Sequence, residues 1–528
     1  MPFWPSPYPY TVQTSLILFV APVIAFVCHR AVSILKAKRA IGFHPGEVFF
    51  LFPGGVISNF VMPSVRWLSA GKNYLFVNKF KKYEDFGSSV YSIISLWPSV
   101  KTNLVLADAG AIKEVTSARA KFPKAIALYK SLLFFGQNIV ASEGNEWKRY
   151  RRISAPAFSE KNSKLVWDET VRVMDGLFDL WDGRGERKLT VDHCLDITLP
   201  IALFVIGAAG FGQRMPWTET DRCPEGHQMT FKESLQRVAH DVFVKLAVPE
   251  WAMGLTKRTR TARLAFKELD LYMKEMIHER LYGEKVERND LFSILLESNS
   301  DASIDALTEQ ELTGNIFMFL IAGHETAAHT LCFTFALLAL YPEEQELLFQ
   351  SIKAVCPDGE IAFSDMPKLT RAMAVFNETM RLFPPVTNIP KESAEDTTLT
   401  LTNDFGERVT IPVPKGTQIA INTAGLHYNP RYWEDPHEFN PDRFLQEYNK
   451  DAFLPFSSGV RSCLGKRFFE CEGIATLTKL VSRYRISVKE EPQYAYETFE
   501  QRKERVLRNK PGITVTPIRV PLVFTRRD

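Results

Sequence analysis

The sequence predicts a mainly α-helical fold with small β-sheets, organised as an N-terminal membrane anchor with a basic flank (residues 1–40) and one large folded body (residues 41–528). Three observations predict it. Long stretches beyond Lys101 repeat their apolar residues at helical spacing. One very long apolar run opens on a helix cap. Strand-like pieces are short and sparse.

The N-terminal run Val12–Cys28 is almost wholly apolar, with no Lys or Arg before it and Arg30, Lys36, Lys38 and Arg39 after it. A cleaved signal carries its positive charge ahead of the apolar run, so a retained anchor fits better. The positive flank stays cytoplasmic, which puts the N-terminus in the lumen and the body in the cytosol. The alternative is a buried core helix, because the run is short and Pro22 interrupts it. A second apolar run, Val48–Met62, contains Pro53, Gly54 and Gly55. It fits a membrane-dipping segment or a part of the body.

Amphipathic or apolar helical runs follow at Val166–Trp181, Phe231–Leu246, Thr261–Leu281 and Arg371–Leu382. Thr308 and Glu311 have the spacing of a capping box, and helical character then continues to Leu340, where Tyr341-Pro342 stops it. At 1.5 Å per residue such a helix is about 50 Å long. Its centre, GNIFMFLIAGHETAAHTLCF, is apolar nearly all round, which calls for burial. Strands are expected at Thr398–Thr402, Arg408–Ile411, Gln418–Asn422 and Ile513–Phe524, and Tyr428–Phe444 reads as a long ordered loop.

Composition narrows the class. With 45% hydrophobic and 24% charged residues the chain can build a large core. A formal charge of +3 and the lack of a basic–aromatic motif give no case for nucleic acid. Seven cysteines without pairing pattern indicate reduced thiols, hence a cytosol-facing body.

Four motifs carry chemistry. In FSSGVRSCLG, Phe456 to Gly465, no second Cys or His lies at zinc-ligand spacing, so the stretch offers one thiolate and not a chelate. Gly459 and Gly465 permit a tight loop around Cys463, Arg461 supplies a cation, and Phe456 can shield the sulfur. In NETMR, Glu378 and Arg381 lie on one helical face among apolar neighbours, and a buried pair there needs further partners. Arg443 in FNPDRF offers one. AGHET puts Glu325 and Thr326 in the middle of the long apolar helix, where unpartnered polar groups are costly and a function explains them better. WKRYR places Trp147 and Arg151 on one face of a helix.

These motifs, in this order, resemble those of the cytochrome P-450 family. FSSGVRSCLG matches the haem-ligand signature F-x-x-G-x-R-x-C-x-G at every fixed position, and AGHET matches the oxygen-activating A/G-G-x-D/E-T. The resemblance spans roughly residue 40 to the end and implies the fold of that family, with residues 41–528 a haem-thiolate catalytic domain. It implies haem b with Cys463 as axial ligand, and Glu378, Arg381 and Arg443 as a structural triad behind it. It makes Glu325 and Thr326 the oxygen-activating pair, with His324 at the variable position between the fixed residues. Trp147, Arg151, Arg461 and, more loosely, Lys391 become propionate partners. Lysine there supplies charge but not the bidentate fork of arginine. The Pro-rich hinge usual after the anchor is weak, limited to Pro45, Pro53 and Pro63.

By the same resemblance the chain is a microsomal monooxygenase, single-pass in the endoplasmic reticulum membrane. It draws electrons from NADPH through a separate flavoprotein reductase. Lys148, Arg149, Arg152, Lys466 and Arg467 would form a basic face for that partner. The substrate is expected to be a lipophilic small molecule: a terpenoid, sterol, fatty acyl or aromatic compound. Phe134, Phe135, Ile139, Phe319, Ala322, Val386 and Ile513 are its candidate wall, and the Trp251 loop, with Leu255 and nearby basic residues, suits a membrane surface. Two rivals remain: a haem-thiolate isomerase or dehydratase acting on a peroxide, and a non-catalytic haem-binding membrane protein.

Overall fold

Helical periodicity becomes helix nearly where it is expected. The four runs above lie in the helices Glu160–Asp182, Phe231–Ala247, Lys257–Tyr282 and Thr370–Leu382. The fold, seen in a computed structural model, is mainly helical with small sheets. The structure describes residues 10–55, 57–218, 223–283, 288–301, 305–402 and 406–527. The chain divides into two compact units, Met1–Pro123 with Asn388–Asn429, and Lys124–Thr387 with Pro430–Asp528.

The first unit is built on a five-stranded sheet in the order Gly46–Leu51, Val90–Trp97, Lys101–Leu106, Gln418–Asn422, Asn388–Glu392. The pairings alternate: parallel, antiparallel, parallel, antiparallel. A separate hairpin pairs Thr397–Thr402 with Arg408–Val413. Ahead of the sheet runs a helix, Tyr10–Ala40, that continues through Pro22 to the end of the expected basic flank. It leaves Ile24, Phe26, Val27, Val32 and Leu35 exposed, and Arg30 Nη2 donates to the Pro98 carbonyl at 3.4 Å. The side chains of residues 10–20, which hold most of the expected anchor, lie outside the described ones.

The run Val48–Met62 splits in two. Its start belongs to the strand Gly46–Leu51, and only beyond the Pro53-Gly54 turn does a short π-helical turn, Ile57–Val61, hold Ile57 and Val61 out to solvent with neighbouring Trp67.

The second unit is organised by the helix Glu309–Leu340, 32 residues long. Thr308 Oγ accepts from Glu311 N at 3.3 Å while Glu311 Oε2 accepts from Thr308 N at 2.9 Å, the reciprocal cap that the spacing predicts. Among the described residues it is the one helix long and apolar enough to cross a membrane, yet it is mostly buried. Its composition is that of a core helix. Ile316, Phe317, Leu320, Leu331, Phe335 and Leu338 are fully buried, each stabilising the core by about 1.5–3 kcal/mol. Close approach needs its small residues: a Cβ on Gly314 would meet the Gln137 carbonyl oxygen at 2.4 Å.

A three-stranded antiparallel sheet, Lys188–Val191, Leu522–Arg526, Tyr484–Val488, closes this unit. The strand expected over Ile513–Phe524 is therefore broken into Thr516–Pro517 and Leu522–Arg526. Pro517 and Pro521 lack the N–H a continuous ladder needs.

Candidate functional site

The Cys463 loop is tight at both ends. Ser457 and Gly459 have positive φ (59° and 69°), which Gly459 adopts without a Cβ penalty. Cys463 N donates to the Phe456 carbonyl at 2.9 Å, closing the loop, and the Phe456 ring meets Phe469 edge-on at 5.4 Å. The helix Lys466–Arg483 starts immediately afterwards. The amides of Gly465 and Lys466, at its N-terminus, point at the Cys463 sulfur. Gly465 itself has an ordinary φ of −78°. A Cβ there would lie 3.9 Å from Cys463 Sγ, an ordinary contact. Cys463 keeps open surface, yet protein surrounds it densely enough that loss of hydration pushes its thiol up, opposed by those two amides and by Arg151.

Beside this loop sits the helix Gly144–Ser154. Its buried Trp147 lies under two guanidiniums, Arg461 at 4.4 Å and Arg151 at 5.8 Å from the ring centre. Arg151 Nη1 donates to the Ser462 carbonyl at 3.0 Å, next to the cysteine. Arg461 Nη2 pairs with Glu143 at 2.9 Å and donates to the Ser142 carbonyl at 2.6 Å. Tyr129 lies close enough to Arg461 to feel its charge, although burial pushes its phenol up. Sequence patterns gave no reason to select Tyr129 or Glu143, because neither stands in a motif. Of the five expected surface cations, Arg149 turns inward to pair with Glu311, while Arg152 pairs with Asp305 at the surface. Lys148 and Lys466 remain exposed.

The long helix opens along one stripe at its midpoint. Phe319, Gly323, Glu325 and Thr326 are half-exposed and Ala322 is exposed, and Phe319, Ala322, Gly323 and Thr326 form a stripe flanked by buried residues such as Leu320, Ile321, His324 and Ala327. The spacing of three and four residues puts all four on one face. Thr326 Oγ donates to the Ala322 carbonyl at 2.6 Å, so its hydroxyl is parked on its own helix. Burial pushes the Glu325 carboxyl up to about 7. Thr514 Oγ donates to Glu325 Oε1 at 3.4 Å, and Oε2 is buried without a partner among the described residues. His324 is buried and spends Nδ1 on the Leu320 carbonyl at 2.8 Å. His329, which no motif marks, reaches Thr514 Oγ with Nδ1 at 2.6 Å.

Glu378, Arg381 and Arg443 meet. Arg381 makes a two-pronged contact with Glu378, Nε to Oε2 at 2.7 Å and Nη2 to Oε1 at 2.8 Å, both side chains fully buried. Arg443 Nε is 3.4 Å from Glu378 Oε1, and Asn440 N donates to the same oxygen at 3.0 Å. The carbonyls of Pro436 and Glu438 accept from Arg381, and those of Glu434 and Asp435 from Arg443. The pair is thus partnered on every side, as burial demands.

The candidate pocket residues separate. Phe134 and Phe135 pack on Phe266 and line a cleft of about 670 Å³ with Thr313 and charged residues such as Lys245 and Arg263. Neither Cys463 nor the stripe of Ala322 lines that cleft. We regard the stripe, with its chemistry, as the better guide to the reacting centre. Phe319 meets Phe158 edge-on at 5.6 Å, Val386 is exposed, and Ile513 is half-buried just before Thr514. Ile139 is buried, and its amide donates to Asn315 Oδ1 on the long helix at 2.9 Å. Asn138 ties the same loop to itself: its Oδ1 accepts from Val140 N and Ala141 N, and its Nδ2 donates to the Leu132 carbonyl. Lys391 lies on the strand Asn388–Glu392 of the first unit and is buried.

This donor set fits haem. A single thiol held by two amides suits one axial position on iron. An indole between two guanidiniums beside it suits anionic propionates.

Comparisons with known proteins agree with this chemistry. The family model described as Cytochrome P450 matches residues 62–516. A protein of Postia placenta, cytochrome P450 monooxygenase 124, is 49% identical over 519 residues, covering 97% of this chain and 99% of its own. Cytochrome P450 4Z1 of Homo sapiens is 25% identical over 476 residues, covering 86% and 90%. Among solved structures, the haem domain of cytochrome P450DA superposes with a TM-score of 0.71 at 22% identity, covering 86% of this chain and 93% of that one, and so shares the fold.

Proposed function

The chain belongs to the cytochrome P450 family of haem-thiolate monooxygenases, and from that premise we propose that it oxidises a lipophilic small molecule with dioxygen and electrons from a separate NADPH-dependent flavoprotein reductase. The substrate class is terpenoid, sterol, fatty acyl or aromatic. The observation that carries the reading is the thiol of Cys463, enclosed by protein and faced by the amides of Gly465 and Lys466. Cys463 would hold the iron of haem b, with Trp147, Arg151 and Arg461 as partners for the propionates. Bound there, the haem supplies dioxygen binding and its reductive activation.

The protein's own part is proton handling and exclusion of water. Amides directed at the sulfur temper its electron donation. Phe456 shields the loop. Glu325, neutral or charged near pH 7, can take up and release a proton at Oε1 or Oε2. Thr326 holds its hydroxyl on the open stripe, one rotation away from releasing the Ala322 carbonyl. The triad of Glu378, Arg381 and Arg443 holds the loop 434–440 by its carbonyls and so braces the second unit. The apolar outward side of the helix Tyr10–Ala40 supports a single-pass anchor in the endoplasmic reticulum membrane, with the N-terminus lumenal.

The test is purified protein with reductase, NADPH and a lipophilic compound panel, comparing wild type with Thr326→Ala. Wild type should yield oxygenated product. The variant should keep its haem and its substrate-induced spectral shifts, while product per NADPH falls and hydrogen peroxide rises. Equal yields per NADPH would remove Thr326 from the proposal. A peroxide isomerase would be indifferent to the change.

A further inference from the structure

Glu325 does not stand alone. Its Oε1 is 3.4 Å from Thr514 Oγ, and that same oxygen is 2.6 Å from His329 Nδ1. Thr514 and His329 are both buried, and Thr514 comes from the far end of the chain, just ahead of the strand Thr516–Pro517. A hydroxyl has one proton. If it donates to Glu325 it must accept from His329, which fixes the proton on Nδ1 and leaves Nε2 as an acceptor. The charged or titratable groups around His329 are His324 on its own helix, half-buried His193 and exposed Lys510.

We infer that Thr514 and His329 form the inner proton path of this site, Thr514 Oγ linking His329 Nδ1 to the Glu325 carboxyl. The inference rests on the monooxygenase reading above and extends it to residues that act through Glu325. The step balances without any oxidant or reductant. Thr514 gives its proton to Glu325 Oε1 and takes one from His329 Nδ1, while His329 takes one at Nε2 from a water molecule, which is left as hydroxide and is reprotonated by bulk water. One proton moves inward and the imidazole stays neutral before and after. Rotation of the Thr514 hydroxyl and exchange of the imidazole tautomer restore the start. Neutrality is what this burial imposes, since it pushes His329 down to about 3. The Glu325 link is the long one, against the usual 2.7–2.8 Å for O–H···O, so it is where the path opens and closes.

The experiment compares Thr514→Val, Thr514→Ser and His329→Phe with wild type in two independent readouts. In turnover with reductase, Thr514→Val and His329→Phe should keep the haem-thiolate spectrum. They should lose product per NADPH by about tenfold, less than the ~10²–10⁴ of a direct proton-transfer group because water substitutes in part. Product driven by added hydrogen peroxide, which brings its own protons, should stay unchanged. Thr514→Ser should behave as wild type. Without turnover, the infrared carboxyl band of Glu325, identified by its loss in Glu325→Gln, should titrate higher in Thr514→Val, because the lost hydrogen bond favours the carboxylate. Wild-type coupling in either disabling variant, an uncoupled Thr514→Ser, or an unmoved carboxyl band would overturn the path. Absence of product from wild type itself would instead sink the proposed function, and the infrared result would still decide the contact.

Discussion

Glu325 and His329, one turn apart on the long helix, are pushed in opposite directions by the same burial, to about 7 and about 3 from ordinary values of 4.5 and 6.5. The raised carboxyl contributes stability that is full below pH 4.5 and is lost as pH rises through about 7. The depressed imidazole contributes stability that is full above pH 6.5 and is lost as pH falls through about 3. Between 4.5 and 6.5 the two slopes oppose each other. Urea midpoints measured against pH should therefore be flatter in wild type than in either single variant. Glu325→Gln should gain stability as pH rises to 6.5, and His329→Asn should lose it from 4.5 upward, at up to ~1.4 kcal/mol per pH unit. Three parallel curves would mean that burial does not govern these groups. Cys463→Ser is the other residue-scale test: it should abolish the thiolate signature of the reduced, carbon-monoxide-bound haem, since oxygen is a harder ligand. At this scale the motifs were legible because their residues stand within a few positions of each other. Thr514 and His329 were not, being 185 residues apart and joined only by the fold.

Among elements, the helix Thr370–Leu382 carries the largest electrostatic commitment. Glu378→Ala would leave Arg381 and Arg443 beside an empty site at a cost of ~3–5 kcal/mol. Expected is a protein that loses haem or falls out of solution, read by haem absorbance per mole of purified chain. A soluble, fully loaded variant would show that the carbonyls of Pro436, Glu438, Glu434 and Asp435 suffice for the arginines. The cap of the long helix also does more than cap, because Glu311 accepts from Tyr150 at 2.7 Å and pairs with Arg149. Thr308→Ala should cost ~0.5–2 kcal/mol in a thermal or urea midpoint without changing haem content. Helices and their caps were legible because their signals are local. The strands Val90–Trp97 and Lys101–Leu106 were missed. VYSIISLW is apolar but for Ser92 and Ser95, a run without clean alternation that suits buried strand and buried helix alike, and Leu104 pairs with Ile419 from the opposite half of the chain.

At the scale of the whole molecule, the chain crosses between its two units at residues 123–124, 387–388 and 429–430. No composition change marks these points, which is why the sequence read as one body. Removing residues 1–28 keeps Arg30 and its contact with Pro98. The truncated chain should keep its haem while its membrane-bound fraction falls, measured by sedimentation with vesicles. Some binding should persist, because Ile57, Val61, Trp67 and Trp251 remain exposed, the two tryptophans at 72% and 79%. Loss of haem on truncation would mean that the helix Tyr10–Ala40 supports the folded body rather than anchoring it.

The segment from Leu132 to Ser142 is held largely by backbone: Gly136 and Gln137 lie against Gly314 and the first turns of the long helix, Ile139 N is tied to Asn315, and Asn138 knits the rest. To these ties the side chains of Phe134 and Phe135 add ring contacts, both on Phe266 and Phe135 also on Phe317 of the long helix. The tie of Ile139 N to Asn315 does not depend on the side chain at 139, so the course of the backbone should outlast a change of side chain there. Gly314 has no such freedom. Its replacement by alanine would press a methyl group into the Gln137 carbonyl and displace the segment as a whole.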